Sequence, residues 1–140
     1  MSIVSPLLPE ARVLDLCAGS GALGIEAVSR GAASADLVEI AASSLHAIQG
    51  NVALLDAGDT IRVHRQDALR FIADLAAGAY DVAFADPPYD VGMASAIAER
   101  WLAVPFASVI GIEHRRDEKL PGDGDTRRYG QTAITFYRRD

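Results

Sequence analysis

The chain lacks several features that mark particular compartments or chemistries. Its single cysteine, Cys17, excludes an internal disulfide and suits a reducing compartment, so we expect a cytoplasmic protein. No apolar run approaches the roughly 18 residues that span a bilayer, and the first residues have neither the basic start nor the apolar core of a secretory signal. The three histidines are dispersed and show no metal-ligand spacing. We therefore expect no membrane partner and no metal.

Positive charge is also scarce. The chain has 13 basic and 19 acidic residues, and its net charge of −6 argues against a general nucleic-acid binder. The acidic excess lies in the first part of the chain, because Arg115 to Asp140 holds seven basic and five acidic residues. Solvated surface arginines would explain this segment as well as a phosphate-binding surface would. If the chain contacts a phosphate backbone, the candidates are Arg115-Arg116, Arg127-Arg128 and Arg138-Arg139.

Short apolar strands alternate with helices along most of the chain. A hairpin around Gly130 and Gln131 closes it, with strands at 126–129 and 132–138. The other strands are predicted at 12–17, 35–40, 60–64, 80–85 and 108–113, and the helices at 22–30, 43–55, 68–77 and 93–102. This order predicts one doubly wound α/β domain, mostly parallel with an antiparallel end. Tyr80, Phe84 and Trp101 are interpreted as core residues.

Glycine or polar residues follow the predicted parallel strands at the points where those strands end. Ligands of open α/β sheets bind at this edge. The pattern G-x-G-x-x-G over 19–24, with an acid on the next strand, fits a cofactor that contains adenosine, either NAD or S-adenosylmethionine. The candidate cofactor-binding residues are Asp15 in strand one, Ala18, Gly19, Ser20 and Gly21 after it, Glu39 and Ile40 at strand two, and Gln66, Asp67 and Ala68 after strand three.

Three of these residues, and Gly24 of the glycine pattern, have more than one interpretation. Glu39 fits a ribose hydroxyl, although a solvated strand-end carboxylate is the alternative. Asp67 fits the adenine amine, a helix N-cap, or both. Asp15 would be costly to bury unpaired, so we expect it to accept backbone N–H groups of the glycine turn or to meet an ammonium group of the ligand. For Gly24 we favour close packing of helix on sheet.

The run Asp86-Pro87-Pro88-Tyr89 distinguishes the two cofactors. The prolines remove two N–H donors and fix the backbone, so the Pro87 carbonyl and the Asp86 carboxylate can together accept from one planar –NH₂ group. Tyr89 offers a flat face on which a base can stack. These four residues are the candidate catalytic residues, and they favour methylation of an exocyclic amine over hydride transfer.

The run from Asp15 to Ala32, D-L-C-A-G-S-G-A-L-G-I-E-A-V-S-R-G-A, combines with Val38-Glu39 and the Asp-Pro-Pro-Tyr motif. Together they resemble the bacterial small-subunit rRNA guanine-N2 methyltransferase D family over nearly the whole chain. The resemblance implies a Rossmann-like class I methyltransferase fold with seven strands. It also implies S-adenosylmethionine as cofactor, held by Asp15 to Gly21, Glu39 and Asp67, and a guanine amine of 16S rRNA or the small ribosomal subunit at Asp86 to Tyr89.

The family normally carries some tens of residues before strand one, including a basic segment, whereas about eleven precede it here. We therefore expect a single methyltransferase domain over residues 1–140 with a shortened N-terminus, acting as a monomer or weak dimer. The motifs themselves leave open adenine N6 in DNA or RNA, or a protein glutamine, as the methyl acceptor. A nucleotide-binding domain without catalysis is a further alternative.

Overall fold

The computed structural model describes residues 4–55, 60–88 and 92–139. After a short 3-10 turn at Ser5–Leu7, strands and helices alternate. The helices are α1 (Ala22–Ser29), α2 (Ala42–Leu55), α3 (Ala68–Ala73) and α4 (Met93–Ala103). The strands are β1 (Arg12–Leu16), β2 (Ser34–Glu39), β3 (Ile61–Arg65), β4 (Tyr80–Ala85), β5 (Ala107–Arg115), β6 (Asp125–Tyr129) and β7 (Thr132–Arg138).

These strands form one sheet in the order β3-β2-β1-β4-β5-β7-β6. The first five strands pair in parallel, and β7 runs antiparallel to both β5 and β6. The predicted mixed α/β sheet with an antiparallel C-terminal hairpin is therefore confirmed. The chain places β2 and β3 on one side of β1 and then returns to place β4 on the other side. The carboxyl ends of β1 and β4 therefore lie side by side where the strand order reverses, and such folds bind ligands at this point.

Each face of the sheet packs on its own helices. Alternate residues of β1 point to opposite faces, so Leu14 belongs to the core under α3 and α4, whereas Val13 belongs to the core under α1 and α2. Trp101 is buried and donates its indole N–H to the Ala107 carbonyl at 2.9 Å. Tyr80 and Phe84 are also buried, which confirms the prediction that these three aromatic residues belong to the core.

One helix boundary differs from the prediction by more than one residue. The helix predicted over 68–77 ends at Ala73, because the guanidinium of Arg100 on α4 donates to the carbonyls of Ile72, Ala73 and Leu75. The second helix begins at Ala42, one residue before the predicted start. The turn predicted at 56–59 lies outside the described residues. Within the described part of the chain, no helix has the length and apolar character needed to cross a membrane.

Candidate functional site

A cavity of ≈ 350 Å³ opens at the carboxyl ends of β1, β2, β3 and β4. Nine of the predicted site residues line it: Gly19, Glu39, Ile40, Gln66, Asp67, Ala68, Asp86, Pro87 and Pro88. Cys17, Val38 and Met93 complete its wall. The parallel topology therefore brings four separate segments of the sequence to one cavity, which we call the first cavity.

The turn after β1 has an unusual backbone. Gly19 and Gly21 have φ of 60° and 81°, and Cys17, which carries a side chain, has φ of 58°. This left-handed region is open to glycine and strained for most other residues, and such strain is typical of functional sites. The Gly21 N–H donates to the Ala18 carbonyl at 2.9 Å, which closes the turn. A Cβ at Gly19 would meet nothing within 4 Å, so the Gly19 backbone faces open space.

Glu39 connects this turn to the start of α2. Its Oε1 accepts the Gly19 N–H at 2.8 Å, and its Oε2 accepts the N–H groups of Ile40 and Ala41, each at 2.9 Å. Three bonds fix the carboxylate but leave part of its roughly four acceptor sites available. Glu39 is therefore oriented by the backbone and can still accept a ligand hydroxyl.

Asp67 is the N-cap of α3, as predicted. Its Oδ2 accepts the Arg70 N–H at 3.1 Å, while its side chain also lines the first cavity. The capping bond occupies one carboxylate oxygen. The other oxygen is therefore available to a donor in the cavity.

Asp15 lies behind the cavity rather than on its wall. It is buried, and its Oδ2 accepts the Gly24 N–H at 3.1 Å. The expected backbone partner is thus present, although it belongs to the first turn of α1. The pKa of Asp15 is raised to about 7, mainly by burial and to a smaller extent by the carboxylates of Asp86 and Glu39, whereas the Gly24 bond opposes the shift.

Gly24 lies where α1 approaches the sheet most closely. A Cβ at this position would overlap the side chain of Leu37 on β2. This close approach confirms that Gly24 serves the packing of helix on sheet. It also lets the Gly24 amide reach the buried Asp15 carboxylate.

Ala18, Ser20 and Gly21 also lie outside the wall of the first cavity. They shape the turn instead: the Ala18 N–H donates to the Val38 carbonyl, and the Ser20 carbonyl accepts the side-chain amide of Asn51. Their part in the site is to hold the backbone of Gly19 in position.

Asp86 lies between two cavities. It lines the first cavity together with Pro87 and Pro88, and it also lines a second cavity of ≈ 130 Å³. Pro87 is buried, whereas Asp86 and Pro88 are exposed. The Asp86 N–H donates to the Leu16 carbonyl at 3.4 Å, which ties the motif to the end of β1. Tyr89, the last residue of the motif, lies outside the described residues.

The second cavity has apolar walls and a polar end formed by carboxyl groups. Its apolar lining includes Leu23, Phe84 and Phe136, and its polar side chains are Asp86, Glu113 and Tyr129. The carboxyl group of Glu113 is hydrogen-bonded to that of Asp86. This hydrogen bond, followed by burial and by the charge of Asp86, raises the pKa of Glu113 to about 7.

Sequence reasoning did not identify Glu113 or Tyr129 as site residues. Glu113 lies within β5 and Tyr129 at the end of β6, far from any motif. Glu113 reaches the site because β5 pairs with β4, with Ile112 opposite Ala85. The one available signal was that Glu113 is a charged residue directly after the apolar run 109–112.

The arginine pairs of the C-terminal segment lie at opposite edges of the sheet. Arg115 ends β5 at the carboxyl edge, and Arg116 and Arg128 lie next to it around a surface depression of ≈ 580 Å³. Arg138 instead pairs with Val109 near the start of β5, and the Arg139 N–H donates to the Ser108 carbonyl. The candidate arginines therefore do not form one surface, since only part of the set lies near the site.

Within the described residues, no group of three or more His, Cys, Asp or Glu side chains could hold a metal ion. The three histidines have other surroundings. His64 pairs with Asp36 at 3.0 Å, and His114 is buried and bonded to Thr135. His46 lies on the exposed side of α2.

The chain is similar in sequence to one protein family and to several known proteins. The family described as "Conserved hypothetical protein 95" matches residues 1–138. Ribosomal RNA small subunit methyltransferase D of Escherichia coli K12 is 39% identical over 90 residues, which are 64% of this chain and 44% of that protein. The aligned part thus spans less than half of that relative's length. YlbH of Bacillus subtilis, a proposed rRNA methyltransferase, is 31% identical over 149 residues, covering 99% of this chain and 81% of that protein.

A solved structure gives the same result for the fold. The structure of yhhF of Escherichia coli, described as a proposed methyltransferase, superposes with a TM-score of 0.85 and 30% identity, covering 99% of this chain and 81% of that one. The similarity therefore extends to the overall fold of nearly the whole chain. The chain belongs to the rRNA small-subunit methyltransferase D-like family.

Proposed function

We propose that this chain binds S-adenosylmethionine and methylates the exocyclic N2 amine of a guanine in 16S rRNA, as free RNA or within the small ribosomal subunit. The observation that carries the proposal is that Asp86 and Pro87 line the same cavity as Gly19, Glu39 and Asp67. A site for an adenosine-containing cofactor and a pair of acceptors for an amine are thus adjacent. The relatives' names support an rRNA substrate.

The residues of the first cavity fit S-adenosylmethionine. Glu39, held by three backbone N–H groups, would accept from the ribose hydroxyls, and Asp67 would accept from the adenine amine. Ile40 is 59% exposed at the cavity wall, which is unusual for isoleucine and suits packing against the adenine ring. The open Gly19 backbone leaves room for the rest of the ligand.

The reaction requires mainly positioning from the protein. When bound, S-adenosylmethionine supplies an electrophilic methyl group, whose transfer to an amine leaves a neutral thioether and releases one proton. The Asp86 carboxylate and the Pro87 carbonyl would accept the two amine hydrogens and so hold the nitrogen in one orientation. A base paired in a helix cannot reach this cavity, so the target guanine is taken unstacked or flipped out.

Arginine side chains support RNA as the partner. Arg115, Arg116 and Arg128 lie at the carboxyl edge of the sheet, next to Tyr129, which lines the second cavity. Phosphate contacts from such a group fix the register of a strand without reading its sequence. The acidic residues Asp117 and Glu118 lie close by, so we expect few phosphate contacts.

The charge-matched comparison of two double variants tests this surface. Arg116→Ala with Arg128→Ala removes two charges at the site edge, and Arg138→Ala with Arg139→Ala removes two at the far edge. We expect the first pair to weaken RNA binding and to reduce the slope of log K against log salt by about 1 to 2, and the second to change it little. Equal effects of both pairs would contradict the assigned surface.

Thermal unfolding with S-adenosylmethionine, S-adenosylhomocysteine and NAD in separate samples tests the cofactor. We expect the first two to raise the Tm and NAD not to. Tritium transfer from labelled S-adenosylmethionine onto small subunits, naked 16S RNA and DNA then tests the substrate. Asp86→Ala should abolish transfer while cofactor binding, measured by calorimetry, largely survives. Stabilisation by NAD alone would defeat the proposal.

A further inference from the structure

The second cavity differs from the first in its polar composition. Among the residues that line it, the side chains with polar groups are Asp86, Glu113 and Tyr129, and the others are glycine or apolar residues such as Phe84 and Phe136. Above its pKa of about 7 Glu113 is ionised, and an ionised carboxylate only accepts hydrogen bonds. The polar end of this cavity therefore favours a flat apolar ligand with two adjacent donors on one edge.

Asp86 gives the two cavities a shared wall. In a methyl transfer the methyl donor and the accepting amine must meet at one point. Asp86 is the residue that lines both cavities. If the cofactor occupies the first cavity, the second cavity is the place for the base. Tyr129 is 56% exposed at its rim, where a ring can stack on a base.

The donor pattern identifies the base. Among the four RNA bases, only guanine has an exocyclic amine directly beside a ring N–H. Adenine and cytosine have an amine beside a ring nitrogen that accepts, and that nitrogen would face a carboxylate with lone pairs on both sides. Uracil has a ring N–H but no amine. Two neighbouring carboxylates thus fit guanine and disfavour the other three bases.

We propose that Glu113 is a specificity-determining residue that accepts the guanine N1–H while Asp86 accepts from the N2 amine. The inference rests on the proposed function and adds to it a residue that selects guanine. In the free protein a hydrogen bond links the two carboxyl groups while Glu113 is protonated. Once Glu113 has released that proton to solvent, the guanine edge supplies one donor to each carboxylate.

The neighbours of Glu113 leave few other groups to explain such selectivity. Asp86 faces it from the loop after β4, and Tyr129 from β6. The side chains contributed to this cavity by β7 and α1 are Ile134, Phe136 and Leu23, which are apolar. Among the described side chains that line the cavity, Glu113 is the one carboxylate besides Asp86, and a charged group is a stronger acceptor than the Tyr129 hydroxyl for a second donor beside the amine.

2-Aminopurine provides a direct test, because it keeps the N2 amine of guanine but has an accepting N1 in place of N1–H. The methylated guanine is first located by mass spectrometry of 16S RNA treated with the wild-type chain. That position is then replaced by 2-aminopurine through ligation of a synthetic fragment. We expect the wild-type chain to prefer guanine by about ten- to a hundred-fold in kcat/KM, the range for a hydrogen bond to a charged group.

Glu113→Gln should remove most of this preference, because the glutamine amide can donate to the accepting N1 of 2-aminopurine. Glu99→Gln, an exposed position on α4, is the matched control and should keep the wild-type preference. Unchanged Tm and unchanged S-adenosylmethionine binding establish that Glu113→Gln is folded.

A guanine preference that Glu113→Gln leaves intact would overturn the role of Glu113 while the proposed function stands. So would a loss of the preference in both variants. Absence of any N2 transfer by the wild-type chain would overturn the proposed function, and this inference with it.

Discussion

The buried Asp15 predicts an unusual dependence of stability on pH. Its pKa is about 7 in the folded chain, against an ordinary value of 3.8, because burial disfavours the charged form. Between these values the native state binds a proton that the unfolded state has released. The free energy of unfolding therefore falls as pH rises through this window. Because a tenfold difference in proton affinity corresponds to about 1.4 kcal/mol, the Asp15 contribution amounts to ~4 kcal/mol.

Asp15→Asn removes this titration and keeps an oxygen that can accept the Gly24 N–H. We expect the stability of the variant relative to the wild type to increase by ~4 kcal/mol between pH 4 and pH 8. Any cost of burying the amide N–H₂ group is constant with pH and cancels in this comparison. Urea unfolding of both proteins across the pH range gives the difference directly. A difference that stays flat with pH would refute the raised pKa.

Three further substitutions test the packing and the site. Gly24→Ala should lower the free energy of unfolding by about 1–3 kcal/mol, because the new methyl overlaps Leu37; an unchanged urea midpoint would contradict the close approach. Tyr80→Phe should cost about 1–2 kcal/mol, since its hydroxyl donates to buried Asp36 at 2.7 Å; a neutral effect would show that Asp36 finds another donor. Asp67→Ala should cost about 1 kcal/mol and weaken S-adenosylmethionine binding, whereas Asp67→Ser should restore the cap but not the binding; full affinity in the serine variant would exclude a cofactor role for the carboxylate.

The sheet and most of the first cavity could be predicted because their signals are local. An apolar run followed by Gly19 and Gly21, or by Asp86 and two prolines, indicates a strand that ends at a turn. The parallel topology then places those ends together. The run before Gly19 also includes Asp15, which the sequence predicts as a cofactor ligand. The Asp15 side chain instead points into the core under α1.

Features that depend on distant partners were not predictable in this way. The end of α3 at Ala73 is set by Arg100, which lies 27 residues further along the chain. The pairing of Glu113 with Asp86 arises because β4 and β5 are neighbours in the sheet. The separation of Arg138 from Arg115 follows from the antiparallel pairing of β7 with β5.

Identification of the methylated nucleoside tests the central claim most directly. 16S RNA or small subunits treated with the chain and labelled S-adenosylmethionine are digested to nucleosides and separated. The proposed function predicts that the label appears in N2-methylguanosine and that Asp86→Ala eliminates it. Label in N6-methyladenosine or in protein, or no transfer by a chain that binds S-adenosylmethionine, would contradict it.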